Sequence, residues 1–75
     1  MSERDPRQDP RPGDVVRVAS EQGPRFVRDR LSSRGDRVVW TIDSKRFYYE
    51  PVPVWERECR GAEVVSVAAA GAEGA

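Results

Sequence analysis

The chain has 75 residues, one cysteine, no histidine, and 13 basic side chains against 13 acidic ones. A chain of this length holds one domain with a modest core. The single Cys59 excludes an internal disulfide and a multi-thiolate zinc site, and the lack of histidine removes the commonest metal ligand and general base, so no cofactor is expected.

Residues 1–11 carry Pro6, Pro10, alternating charges and almost no apolar side chain. They read as a disordered arm, because such a segment buries too little to offset its ordering entropy. No apolar run approaches the roughly 20 residues of a membrane span. The first residues also lack the apolar centre of a signal peptide. The expectation is therefore a cytoplasmic protein with a reduced thiol and no membrane partner.

From Pro12 the apolar period is two, which is the period of strands. Pro12-Gly13 makes a turn into a first strand from Asp14 to Ala19, with Val16 and Val18 on one face. Ser20 to Pro24 breaks it, and Arg25 to Arg30 resumes an extended run with Phe26 and Val27 on opposite faces. After a turn at Leu31 to Asp36 comes the most strand-like stretch, Arg37 to Ile42, in which Val38, Trp40 and Ile42 share the core face. Asp43 to Lys45 closes a hairpin onto a return strand, residues 46–50.

Pro51 and Pro53 end that strand and point to an extended or polyproline-like segment. Residues 54–60 suit either a short strand or one helical turn. Gly61-Ala62 interrupts the chain before a last strand, Glu63 to Val67. Residues 68–75 are small and of low complexity, and read as a frayed, disordered tail. The domain is thus residues 12–67. Its fold class is all-β, a small antiparallel SH3-like barrel of five to six short strands with disordered termini. No amphipathic stretch of ten or more residues supports a helical alternative.

Residues Pro12, Gly13, Asp14 and Val15, then Gly23, Pro24, Phe26 and Val27, then Val39 and Trp40, form a pattern that resembles the YodC-like small bacterial proteins. The resemblance covers Pro12 to Ile42. Phe26 stands where that family tends to have methionine, and Gln22 where it has the first of two glycines. The second half, with its proline-broken stretch, departs from the pattern. The Pro12 to Val18 opening is also similar to the start of KOW-type barrels, in which the glycine shapes a loop beside RNA or protein. Both resemblances imply a small SH3-like barrel, and the first lends no established activity.

Four groups of residues bear on function. Arg25, Arg28, Arg30, Arg34 and Arg37 crowd one stretch with only Asp29 and Asp36 between them. Side by side, they would make a phosphate-positioning patch; as a solvated strand edge, they would discourage sheet pairing. Phe47, Tyr48, Tyr49 and Trp55, with Trp40, supply rings for a core or for a binding surface. Cys59 lies near Arg57 and Arg60, yet without a histidine it reads as a small buried apolar residue. Among Asp14, Asp36, Asp43, Glu50, Glu56 and Glu58, no spacing selects an acid–base pair. Glycine-rich phosphate loops and metal-binding loops are absent.

These patterns describe a non-enzymatic binding module with no evident small-molecule substrate. One expectation is a protein-interaction or self-associating accessory protein with Tyr48, Val54 and Trp55 as anchors. The other is a nucleic-acid-associated domain in which Arg25, Arg28, Arg30, Arg34 and Arg46 meet phosphates and Tyr48 stacks.

Overall fold

In the computed structural model of the chain, residues 4–68 are described. Five strands, β1 (Val15–Arg17), β2 (Arg25–Leu31), β3 (Arg37–Thr41), β4 (Phe47–Pro51) and β5 (Glu63–Ser66), form one antiparallel sheet in the order β4-β3-β2-β1-β5. A 3-10 turn, Ser32–Arg34, joins β2 to β3, and a short helix, α1 (Val52–Glu58), joins β4 to β5. The fold is small and mostly sheet. Among the described residues no hydrogen-bonded ladder joins the outer strands β4 and β5, so the sheet is open in that sense.

The first strand is shorter than the alternation suggests at both ends: Asp14 closes a turn onto the Arg11 carbonyl, and Val18 and Ala19 enter the next turn, in which the Glu21 N–H donates to the Val18 carbonyl at 2.9 Å. Gly13 takes φ 97°, and a Cβ there would stand 3.1 Å from that of Ala68. The position therefore needs glycine for both backbone and space. Asp14 follows with its carboxylate fully buried.

Val16, Val27, Val38, Trp40, Trp55, Cys59 and Ala62 form the core, with Val18 and Ile42 packed against it. The strand residues expected on the core face, Val38, Trp40 and Ile42, are all there. Strict alternation fails in β2. Val27 pairs with Trp40 but Asp29 pairs with Val39, so Arg28 is an extra residue, a β-bulge. The bulge carries Arg28 and Asp29 together onto the sheet face away from the core. It also turns Arg30, paired with Val38, toward the opposite face.

The segment after β4 is helical instead of extended. Pro51 is the N-cap and Pro53 lies in the first turn. A proline there gives up an N–H that has no partner within the helix, and its fixed φ suits the helix. Val52 N–H instead donates to the Asp36 carbonyl at 3.0 Å. Val52, Trp55 and Cys59 follow the i, i+3, i+7 spacing of one helical face, and all three are buried. The Trp55 ring meets Trp40 edge to face at 6.0 Å.

Residues 4–11, expected as part of a disordered arm, pack against this core. Pro6 and Pro10 are fully buried. Trp55 Nε1–H donates to the Pro6 carbonyl at 2.9 Å, and Arg7 donates to the Ala62 carbonyl at 3.2 Å. Arg4 forks onto Asp14, which also accepts the N–H groups of Arg11 at 2.8 Å and Ala68 at 2.7 Å. The disorder expectation misses this because it counts apolar side chains. The segment instead buries two proline rings and a set of charge-assisted hydrogen bonds. Residues 1–3 and 69–75, which hold the rest of the arm and nearly all of the expected tail, lie outside the described residues.

Removing the guanidinium that faces a buried carboxylate is costly. Arg4→Ala is expected to lower folding stability by about 2–3 kcal/mol. Deleting residues 1–11 should lower the urea midpoint further. An unchanged midpoint in the deletion variant would mean that the segment does not pack on the domain.

Candidate functional site

Two surfaces of distinct chemistry lie on opposite faces of β3 and β4. Alternation along β4 separates them: Phe47 and Tyr49 face outward, and Tyr48 faces the core side. On the outer face Phe26, Phe47 and Tyr49 are 40%, 41% and 60% exposed. Tyr49 stands opposite Val39, and Phe26 and Phe47 flank Thr41 on the neighbouring strands. Phe47 and Tyr49 border an open depression of about 640 Å³, lined also by Arg28, Asp29, Leu31, Arg34 and Val39. The Arg28 guanidinium lies 5.9 Å from the Phe47 ring centre. Among the described residues neither Arg28 nor Arg34 has a carboxylate within ion-pair distance, and the same holds for Arg37, Lys45 and Arg46. The outer face is therefore aromatic and basic in a chain whose total charge is zero.

On the core side, β3, β4 and α1 bound a cleft of about 540 Å³. Arg25 is only 3% exposed and lies 3.9 Å from the Trp40 ring centre. Glu21 accepts two of its N–H groups, at 2.9 and 2.5 Å, and Glu58 a third at 3.2 Å. Burial opposes charge on Arg25, but the hydrogen bonds and charge of Glu21, with Glu58 behind them, prevail and hold its pKa above the ordinary value. Glu50 comes within 3.9 Å of Arg25 without a hydrogen bond. Its Oε1 and the Trp40 Nε1–H are both buried, and the indole N–H faces the Glu50 carboxyl. Burial and the neighbouring Glu58 push the Glu50 carboxyl above its ordinary range. Tyr48 stacks on Trp40 with ring centres 4.4 Å apart and is 37% exposed.

The residues expected to share a site are dispersed. Of the protein-binding trio, Trp55 is fully buried on the inner face of α1, Val54 is half-buried, and only Tyr48 is exposed. Trp55 cannot serve as an exposed anchor, because its helical spacing turns it inward. Of the phosphate-binding set, Arg25 is consumed by Glu21 and Glu58. Arg30 is held by Asp36 at 2.8 Å and by Asp9 and the Pro10 carbonyl at 2.7 Å each. Arg28 and Arg34 do share a surface, the outer face. Arg46 is exposed immediately before Phe47. Tyr48 belongs to the cleft instead. Phe26, Phe47 and Tyr49 are the aromatic residues that accompany Arg28 and Arg34. Their alternation with Val27 and Tyr48 was the available clue, once the core side was known.

Cys59 is fully buried, and burial pushes its thiol up to about 11. It is therefore a neutral thiol at pH 7, 3.9 Å from Arg25 Nη1. Among the described residues no group of three or more metal-ligating side chains is placed to hold an ion, and no helix is long and apolar enough to cross a membrane.

No family model, no curated protein and no solved structure matches this chain.

Glu50 sets a pH dependence of definite sign. Its folded pKa lies above its ordinary value of 4.5, so the unfolded chain releases this proton first. Stability therefore declines as pH rises from 4.5 through the folded value. Glu50→Gln is expected to be at least as stable as the parent at pH 7 and to lose that advantage on acidification below 4.5. Urea titrations across this range measure the gap, and a gap that does not change with pH would contradict the assignment.

Proposed function

We propose that this protein is a small non-catalytic module that binds extended single-stranded nucleic acid on the outer face of β2, β3 and β4. The observation that carries the reading is the concurrence of three exposed rings, Phe26, Phe47 and Tyr49, with arginines that have no carboxylate partner among the described residues. Base stacking on aromatic rings tolerates any sequence, and arginines beside the rings position the phosphates. Phe47 and Tyr49 stand two residues apart on one face, about 7 Å along the strand, which leaves room for successive splayed bases. Arg28 and Arg34 line the same depression, and Arg37 and Arg46 flank it in sequence.

Neutral net charge does not count against this reading, because Asp29 is the one carboxylate beside Arg28 and Arg34 in the lining of the depression. Glu21, Glu50 and Glu58 lie on the cleft side, and Asp5, Asp9 and Asp14 are engaged by the arginines of the N-terminal segment and by Arg30. The strand order, with a helical connection before a last strand that returns beside β1, supports placing the module among SH3-like and KOW-like domains. A buried, neutral Cys59 and the absence of histidine support a binding role over catalysis. A cytoplasmic location accords with a single reduced thiol.

Binding of a labelled oligouridine, followed by fluorescence anisotropy at several salt concentrations, tests the proposal. Arg28→Ala and Arg34→Ala each remove one phosphate-neutralising charge, and each should make the log–log salt slope shallower by about 0.7. Tyr49→Ala should weaken binding by about 1–3 kcal/mol. A salt-insensitive dimer that ignores the oligonucleotide would overturn the proposal and favour a protein-interaction module.

A further inference from the structure

We infer that the outer face discriminates between bases, and that Asp29 selects guanine at the position beside Tyr49. This rests on the nucleic-acid reading of that face and adds a specificity to it. Asp29 is the one carboxylate in the lining of the depression. A surface that only gathers phosphates gains nothing from an acid there, because like charges repel.

The placement of Asp29 suits a reader of base edges. Asp29 pairs with Val39, and Val39 pairs with Tyr49, so the three residues form one row across β2, β3 and β4. Asp29 and Tyr49 thus stand two strand spacings apart, about 10 Å. Val39 between them is only 6% exposed and makes a low floor. A base that rests on this floor has the Tyr49 ring on one side and turns an edge to Asp29 on the other. The bulge in β2 creates the row. Strict alternation from the buried Val27 would turn Asp29 toward the core, and the extra residue, Arg28, brings it out.

The carboxylate is also held and available. Its Oδ1 accepts the Arg30 backbone N–H at 2.8 Å, which orients the side chain. That bond uses one of the roughly four acceptor positions of a carboxylate. Among the described residues Asp29 makes no ion pair, although Arg28 and Arg34 line the same depression. Asp36, the other acid of this stretch, is spent on Arg30.

The choice of base follows from the edges on offer. Unpaired bases are read on their Watson–Crick edges. Guanine presents two adjacent donors there, N1–H and the 2-amino group, which match the two oxygens of a carboxylate. Adenine and cytosine each set one amino donor beside a bare ring nitrogen, an acceptor that repels the second oxygen. Uracil has a single N3–H between two carbonyls. Guanine is therefore the base that Asp29 favours, and Arg28 and Arg34 remain for the phosphates.

The test is fluorescence anisotropy on labelled heptauridine and on heptamers whose central base is guanine, adenine, cytosine or hypoxanthine. Hypoxanthine keeps N1–H and lacks the 2-amino group. The guanine heptamer should bind about tenfold more tightly than heptauridine, with hypoxanthine between them. Adenine and cytosine should stay within about threefold of heptauridine. Asp29→Asn alters an exposed side chain. It should abolish most of the guanine preference and bind heptauridine at least as tightly as the parent, because a negative charge is gone. Arg28→Ala should weaken every heptamer alike and leave the preference intact. Equal binding of the guanine and adenine heptamers, or a guanine preference that survives Asp29→Asn, would overturn the inference and leave the nucleic-acid reading standing. Failure of every heptamer to bind would overturn both.

Discussion

A fully buried carboxylate, Asp14, ties the N-terminal segment, which the sheet does not reach, to the start of β1 and the end of β5, which the sheet pairs. A charge taken out of water must be paired and hydrogen-bonded, or it destabilises the fold. Asp14 meets this demand with the Arg4 guanidinium, the Arg11 N–H and the Ala68 N–H. The N-terminal segment, the start of β1 and the residues after β5 are therefore fixed to one another. Trp55 provides the matching anchor on the helix side, through its hydrogen bond to the Pro6 carbonyl. In so short a chain these contacts enlarge a core that the strands could not close by themselves.

The same arrangement governs where charge is left over. Among the described residues, arginines that reach the N-terminal segment or the cleft find carboxylates, and those on the outer face do not. The bulge in β2 is decisive here, because it moves Arg30 away from Arg28 and toward Asp9 and Asp36. A chain of zero formal charge thereby becomes two-sided, with a basic aromatic sheet face and an acidic aromatic cleft. Non-uniform charge of this kind steers partners of opposite sign to different faces.

The cleft is also where the molecule tolerates the least favourable local electrostatics. Glu50 is buried beside Glu58 and beyond hydrogen-bond reach of Arg25, and its carboxyl is correspondingly harder to ionise. A carboxyl buried beside another is an electrostatic cost that the fold carries at this one place. The outer face makes no such sacrifice; its exposed rings rest on Val39 and the sheet beneath.

Much of the fold is legible in the residues themselves. The period-two runs mark the strands, Val38 and Trp40 declare their core face, and Pro12-Gly13 marks the entry to β1, because these are local consequences of side-chain alternation and turn chemistry. The helix is only half legible: Pro51 and Pro53 resemble strand breakers until the spacing of Val52, Trp55 and Cys59 is set against a core. Less of the site is legible. Arg25, Arg28 and Arg30 look equivalent in the sequence, yet one is buried on Trp40, one lies open beside Phe47, and one is bound to Asp9. Those fates depend on a bulge, on a packed N-terminal segment and on carboxylates up to 33 residues away in the chain. Local sequence determined the strands, their core face and the store of arginines and aromatic rings. Tertiary structure alone decided which of them meet a partner and which face solvent, because pairing between distant charges exists only after the chain has folded.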